Sequence, residues 1–166
     1  MSHLDADESD PRAIGWMQGF PPAPDKLIQS DSAAWRFPHI RWTFSHEREL
    51  LPTANVRRGQ ARLWELPYAL RDDLDAVRFT TMDGRELTWG QSLGENYTDG
   101  IVVLHRGALI YEKYLGALTP ELPHLAMSVT KSFVGLLAAM LVDEGVLDPN
   151  APVTQYVPEL SGGAYG

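Results

Sequence analysis

The stretch from Ser128 to Glu144 constrains the possible fold more than any other part of the chain. Apolar side chains recur there at the spacing of one helical face. They are Phe133, Leu137, Met140 and Leu141. Gly145 follows, a residue type that ends helices in the left-handed conformation, and Pro149 comes shortly after it. The pattern predicts a helix over 128–144 whose apolar stripe lies in a core.

Two strand pairs are predicted before this helix. Residues 77–82 alternate in polarity, and Asp83-Gly84 leads them through a turn into residues 85–89. The run from Gly100 to Leu104 is rich in β-branched residues and predicts a strand buried on both faces, returning over residues 108–114. Strand pairs followed by a long helix indicate a mixed α/β (α+β) domain.

Residues 1–60 differ from the rest in composition. They contain six prolines, each of which removes a backbone donor and restricts the residue before it. They also contain Trp16, Trp35 and Trp42, whereas disordered tails are poor in aromatic residues. We therefore expect residues 1–60 to form an extended arm that packs its rings against a larger body, residues 61–166.

Composition excludes several classes of function. The 166 residues include 14 Lys plus Arg and 22 Asp plus Glu, a net charge of −8, which disfavours binding to nucleic acid. There is no cysteine, and the five histidines lack metal-ligand spacing, so neither disulfides nor a metal site is expected. The acidic start does not resemble a signal peptide, and the longest apolar run, 133–142, is too short to cross a bilayer. These features predict a soluble, cytoplasmic protein with no membrane partner.

The candidate chemical group is the tetrad Ser128-Val129-Thr130-Lys131 at the start of the predicted helix. Residues i and i+3 share a helical face, so the Lys131 amine can reach the Ser128 hydroxyl. A serine hydroxyl is a weak nucleophile that needs an adjacent base, and a lysine can be that base when its surroundings favour the neutral amine. The unpaired N–H groups of the helix start can also stabilise an oxyanion.

A structural interpretation of the same tetrad stands beside the catalytic one. Ser128 can be an ordinary N-cap and Lys131 a solvated side chain, although a lysine in the first turn opposes the helix dipole. With nine serines and three lysines in the chain, chance alone gives roughly 0.16 such tetrads. The tetrad by itself is therefore weak evidence for catalysis.

The surrounding residues resemble a known family. The block His124–Leu136, followed by 142–148 and 153–160, is similar to the serine β-lactamase-like hydrolases. The resemblance is to the branch that contains class C β-lactamases, family VIII carboxylesterases and 6-aminohexanoate-dimer hydrolases. Residues 35–44 and 49–53 are similar to the N-terminal extension of the last group. The resemblance covers roughly residues 15–166 and implies the β-lactamase/transpeptidase-like fold.

The resemblance implies roles for the tetrad. Ser128 matches the acylated nucleophile, Lys131 matches the lysine that helps to deprotonate it, and the Ser128 N–H matches one oxyanion donor. The implied reaction is cleavage of an ester or amide, with short linear substrates favoured over β-lactams by the arm. The family needs no metal or organic cofactor, so no cofactor is expected. Its partner is a small-molecule substrate, and the oligomeric state is left open.

Three family elements do not occur in these residues. No tyrosine is followed two positions later by asparagine, and the Lys/His-x-Gly strand with its second oxyanion donor is missing. His105-Arg106-Gly107 fits H-x-G only as text, because it precedes the nucleophile at a predicted hairpin tip. We therefore expect residues 61–166 to be the N-terminal part of a hydrolase domain, inactive alone. The alternative is a non-catalytic scaffold or binding module that keeps a truncated form of this fold.

His124 is a further candidate, since it lies four residues before Ser128. A Ser/His pair is one possibility, but packing or a turn hydrogen bond is the better expectation, because the turn into the helix directs His124 away from Ser128.

Overall fold

The computed structural model describes residues 4–164, in which short helices and two antiparallel hairpins follow one another. The helices are α1 (Pro11–Ile14), α2 (Ile40–Leu50), α3 (Trp89–Glu95) and α4 (Val129–Asp143). The strands are β1 (Arg78–Thr80), β2 (Glu86–Thr88), β3 (Gly100–His105) and β4 (Ala108–Tyr114). Single 3-10 turns lie at Asp72–Ala76, Val153–Gln155 and Pro158–Gly162. The chain forms two compact units that divide between Leu125 and Ala126. Helices combined with small antiparallel sheets confirm the α+β class.

The hydrophobic core of the first unit lies within its N-terminal part. Ile28, Ala34 and Trp42 are buried together, and partly buried aromatic and aliphatic side chains pack around them. Trp42 belongs to α2, an 11-residue helix with a kink at His46, where φ is −128°. Residues 1–60 are therefore not extended throughout, although their prolines suggested an extended arm. The helix α2 forms within them and buries the Trp42 ring in this core.

The first hairpin has the predicted strands and a longer loop than predicted. Thr80 pairs with Glu86, and the Thr81 N–H donates to the Arg85 carbonyl at 2.9 Å. The three residues between Thr81 and Arg85 include Gly84, whose φ of 86° needs the left-handed freedom of glycine. The chain continues from β2 into α3 through a capping box between Thr88 and Gln91.

The second hairpin turns at Arg106 and Gly107, both of which have positive φ, as a type I′ turn requires. His105 pairs directly with Ala108 across this turn. The strand β3 is present as predicted, but the expectation that it is buried on both faces is wrong, since Val102 is 48% exposed. Its β-branched run favours a strand without deciding what covers it.

A short extended segment, residues 67–71, pairs parallel with the other edge of β4. The Leu109 N–H donates to the Pro67 carbonyl at 2.9 Å, and the Ala69 N–H donates to the Leu109 carbonyl at 2.8 Å. The Arg71 N–H donates to the Ile110 carbonyl at 2.9 Å. Residues 67–71 therefore pair with the sheet of β3 and β4, although they precede the first hairpin in the sequence.

The second unit contains α4 and the two 3-10 turns that follow it. The predicted helix is present and one residue shorter at each end, with Ser128 as N-cap, Glu144 as C-cap and Gly145 left-handed at φ 71°. The prediction that its apolar stripe is buried is wrong for this chain. Phe133 is 64% exposed, and no residue of α4 is buried. The Asp148 N–H donates to the Tyr156 hydroxyl at 2.7 Å, which ties the 3-10 turn to the loop after α4.

The helices within residues 4–164 are all too short or too polar to traverse a bilayer.

Candidate active site

The start of α4 brings together the two residues of the predicted catalytic pair. Lys131 Nζ donates to Ser128 Oγ at 3.0 Å, within the range of a hydrogen bond. The contact follows from helix geometry, because residues three apart share one face. Both side chains are exposed in this chain.

The Ser128 hydroxyl does not cap the helix. Ser128 occupies the N-cap position with φ −71° and ψ −7°, and its side chain accepts no capping hydrogen bond. An N-cap serine usually has an extended backbone and accepts from the second or third residue of the helix. The structural interpretation of Ser128 as an ordinary cap therefore does not describe this geometry.

The backbone N–H of Ser128 is unused within residues 4–164. The next three N–H groups each close a turn: Val129 donates to the Ala126 carbonyl at 3.0 Å, Thr130 to Met127 at 3.1 Å and Lys131 to Ser128 at 3.0 Å. The Ser128 N–H donates to no acceptor in the described part of the chain. A free N–H beside the hydroxyl oxygen is a suitable donor to an oxyanion that forms on an acylated serine.

Met127, directly before Ser128, has a backbone conformation that its residue type does not predict. Its φ is 45°, in the left-handed region that non-glycine residues occupy only at a cost. Sequence gave no signal for this geometry, because methionine has no preference for positive φ. The left-handed residue sets the direction in which the chain enters α4, and so the direction of the Ser128 N–H.

His124 takes part in a different set of contacts, in the first unit. Its Nε2 lies 3.1 Å from Asp99 Oδ2, and its ring packs edge-on against Phe44 at 5.9 Å. Asp99 Oδ1 lies 3.4 Å from Nε of Arg41, a guanidinium that is only 5% exposed. This arrangement agrees with the expectation of a hydrogen-bonded, packed histidine.

Arg41 and Asp99 were not singled out in the sequence, although their burial makes them unusual. A buried guanidinium requires a nearby anion, and the ring of Tyr97 adds a cation–π contact at 5.4 Å. No motif surrounds either residue, and they are far apart in sequence, so only the fold brings them together.

The structure also locates the H-x-G sequence. His105-Arg106-Gly107 forms the tip of the β3–β4 hairpin, as expected of a sequence that matches H-x-G by text alone. Among residues 4–164, no group of three or more histidine, aspartate and glutamate side chains is placed to hold a metal ion.

Residues 94–166 match the family described as Beta-lactamase. This range starts in α3 and includes β3, β4 and α4 with the Ser128–Lys131 pair. This part of the chain is therefore similar to β-lactamase family domains, and its helices and hairpins resemble those of a β-lactamase-like hydrolase fold.

Two proteins that this chain resembles are both named as 6-aminohexanoate-dimer hydrolases. The chain is 41% identical over 128 residues to the 6-aminohexanoate-dimer hydrolase of Paenarthrobacter ureafaciens, an alignment that covers 77% of this chain and 31% of that protein. A solved structure of a Bacillus anthracis protein, named as a candidate 6-aminohexanoate-dimer hydrolase, superposes with a TM-score of 0.76 at 26% identity. The superposition covers 87% of this chain and 37% of that one, so the chain spans about a third of the length of these relatives.

Proposed function

We propose that these residues belong to a serine hydrolase that cleaves an ester or amide through an acyl-enzyme on Ser128. The observation that carries the proposal is the 3.0 Å contact between Lys131 Nζ and Ser128 Oγ, made by a hydroxyl that caps no helix. The free Ser128 N–H and the homology to proteins named as hydrolases support it.

In the proposed reaction, Ser128 Oγ attacks the substrate carbonyl carbon while its proton passes to the neutral amine of Lys131. The oxyanion that forms accepts from the Ser128 N–H. The Lys131 ammonium then gives a proton, directly or through a relay, to the departing alcohol or amine, which leaves the acyl group on Ser128. Water then attacks the acyl carbon while its proton passes to Lys131. The Lys131 ammonium returns a proton to Ser128 Oγ as the acid leaves, so Lys131 ends each cycle neutral.

The remaining groups of the reaction are assigned to residues outside this chain. A proton-relaying tyrosine and a second oxyanion donor, which the family resemblance implies, have no counterpart in the motifs of these residues. One oxyanion donor alone accounts for about 2.7–4 kcal/mol of transition-state stabilisation, so the complete set is needed for efficient turnover.

We propose short linear amides and esters as the substrate class. The support is the 41% identity to a protein whose name specifies the dimer of 6-aminohexanoate, a linear amide. The walls of a substrate pocket are not formed by the exposed start of α4, so discrimination among acyl groups is assigned to other residues.

The test is active-site labelling of the full-length protein with a fluorophosphonate probe, followed by peptide mass spectrometry. The probe is expected to modify Ser128 and to give no adduct in Ser128→Ala. Ser132→Ala is the matched control, because Ser132 lies in the same exposed helix one turn further on. No adduct on the full-length protein, or equal labelling of Ser128→Ala, would contradict the proposal and favour the non-catalytic module.

The role of Lys131 is tested by substitution with arginine, which keeps the positive charge but cannot become a neutral base. Lys131→Arg is expected to slow ester and linear-amide hydrolysis by about 10²–10⁴-fold, the usual contribution of a general base. Unchanged kcat in Lys131→Arg would remove Lys131 from the mechanism. Turnover of β-lactams without linear amides would overturn the substrate class and leave the serine mechanism intact.

A further inference from the structure

Residues 56–64 form the most cationic exposed segment of this acidic chain, here called the arginine segment. It reads Val-Arg-Arg-Gly-Gln-Ala-Arg-Leu-Trp and contains three arginines and no acidic residue. Every residue in it is exposed, and no helix or strand includes it. Trp64, at its end, is 87% exposed. Tryptophan and arginine are enriched among the residues that contribute most to binding at protein interfaces.

The arginine segment forms no ion pair with an anionic group among the described residues. Among residues 4–164, the ion pairs do not include Arg57, Arg58 or Arg62. The one hydrogen bond from these side chains is local, from Arg58 Nη1 to the Ala61 carbonyl at 3.0 Å. Three positive charges and an indole ring are thus exposed without an ion pair among the described residues.

A complementary surface lies near the N-terminus of the same chain, in the acidic turn of residues 5–8. Asp5 Oδ1 accepts from the N–H groups of Asp7 at 2.9 Å and Glu8 at 2.8 Å, so the turn is held by its own hydrogen bonds. All three acidic side chains are exposed, and none pairs with a lysine or arginine among the described residues. The turn therefore presents three negative charges in a fixed arrangement.

We infer that the arginine segment of one copy of this chain docks on the acidic turn of a second copy, and that the exchange is reciprocal. The argument is charge complementarity: three positive charges face three negative ones, and the rest of the chain carries 11 cationic against 19 acidic side chains. A two-fold axis makes both contacts at once, which closes the assembly as a dimer. Val56, Leu63 and Trp64 add apolar contact beside the charges.

The dimer is expected to depend on salt, because its ion pairs form between exposed groups. Light scattering after size-exclusion chromatography of the full-length protein measures the mass. We expect twice the protomer mass in about 50 mM NaCl and a Kd raised at least about tenfold in 500 mM NaCl. A monomer at every concentration in low salt would overturn the inference.

Charge reversal identifies the surfaces. The variant with Arg57→Glu, Arg58→Glu and Arg62→Glu, and the variant with Asp5→Lys, Asp7→Lys and Glu8→Lys, are each expected to be monomeric. An equimolar mixture is expected to form a heterodimer, because each reversed surface then meets its opposite. The matched control reverses three exposed arginines elsewhere, Arg48, Arg78 and Arg106, with the same change in net charge, and keeps the dimer. A dimer in the first variant, or none in the mixture, would contradict the docking mode.

These 166 residues contain no cysteine, so cysteines introduced into the two surfaces are new sites for a cross-link. A chain carrying Leu63→Cys is mixed with a chain carrying Ala6→Cys, and a short bismaleimide is added. A covalent product of two chains is expected at low salt. In the double variant carrying both cysteines, a cross-link confined to one chain would show that the segment binds its own acidic turn, which overturns the inference.

Discussion

The carboxylate of Asp75 accepts hydrogen bonds from two side chains of β4. Tyr111 Oη donates to its Oδ1 at 2.5 Å, and Lys113 Nζ donates to its Oδ2. The hydrogen bond from Lys113, then that from Tyr111, lowers the pKa of the Asp75 carboxyl. The hydrogen bond to Asp75 raises the pKa of Lys113, and burial raises the pKa of the Tyr111 hydroxyl. Asp75 thus joins the 3-10 turn of residues 72–76 to β4.

We predict that Asp75→Asn lowers the free energy of unfolding by about 1 kcal/mol at neutral pH, a discounted figure because the carboxylate is partly exposed. The pKa of Asp75 is lower in the folded state than in the unfolded state. Its stabilisation is therefore complete above the unfolded pKa of about 4 and is lost as the pH falls through the folded pKa. Urea unfolding at several pH values should show the two proteins converging below about pH 4.

Asp73→Asn is the matched control for that measurement. The pKa of Asp73 is also lowered, by its hydrogen bond from Arg71, but both of these side chains are largely exposed. Exposed pairs contribute little to stability, so this variant should unfold like the parent at every pH. A constant difference between Asp75→Asn and the parent from pH 7 to pH 3 would contradict the assignment of the effect to ionisation.

Among individual residues, sequence was informative where chemistry and local spacing coincide. The Ser128–Lys131 contact could be predicted because both residues lie on one helix, whose geometry sets their separation. The Arg41–Asp99 pair could not be predicted, since 58 positions of chain separate its members and tertiary packing alone brings them together. The positive φ of Met127 escaped prediction for the related reason that methionine carries no turn signal.

At the scale of elements, strong local signals gave correct predictions. The second hairpin has a Gly at the turn and strands of six and seven residues, and α4 has both a helical period and a C-terminal glycine. The helix α2 was not predicted because Ile40–Leu50 contains β-branched and aromatic residues of modest helix propensity and is flanked by Pro38 and Pro52. Burial of Trp42 outweighs that propensity, and burial cannot be inferred from a single sequence.

Gly116 joins two elements, and we predict that Gly116→Ala destabilises the first unit by roughly 1–3 kcal/mol. A Cβ there would lie 2.9 Å from Nη2 of Arg41, in α2, and the φ of 57° is costly for alanine. The Gly116 carbonyl also accepts from Arg12 in α1, so movement of this loop after β4 disturbs both helices. Urea unfolding monitored by far-UV circular dichroism measures the loss.

Gly107→Ala separates the backbone cost from the packing cost. Gly107 has a φ of 80°, but a Cβ there meets nothing within 4 Å. It should therefore lose only the backbone contribution of about 1 kcal/mol. If the two variants were equally destabilised, the close approach of Arg41 to Gly116 would have no energetic consequence.

For the whole molecule, the main feature is the exposed apolar stripe of α4. Phe133, Leu137 and Met140 are all more than half exposed, in a helix whose period is that of a buried element. Contiguous apolar surface of this kind normally contacts other polypeptide. The chain also spans 31% of the length of its Paenarthrobacter relative.

We therefore predict that the 166-residue polypeptide binds the dye ANS and hydrolyses p-nitrophenyl butyrate no faster than its Ser128→Ala form. The dye should bind the α4 stripe, so Phe133→Gln with Leu137→Gln is expected to reduce its fluorescence. If the 166-residue polypeptide hydrolysed the ester clearly faster than its Ser128→Ala form, Ser128 and Lys131 would suffice for turnover. That result would contradict the need for further catalytic groups.

The pairing of residues 67–71 with β4 leaves the two edges of the β3–β4 sheet unequal. It occupies the outer edge of β4 at Leu109 and Ile110, whereas the outer edge of β3 pairs with no strand among residues 4–164. An incoming strand needs a row of free N–H and C=O groups, and the longer such row belongs to β3. We therefore expect any enlargement of this sheet to begin alongside Gly100–His105, which would make β3 an interior strand.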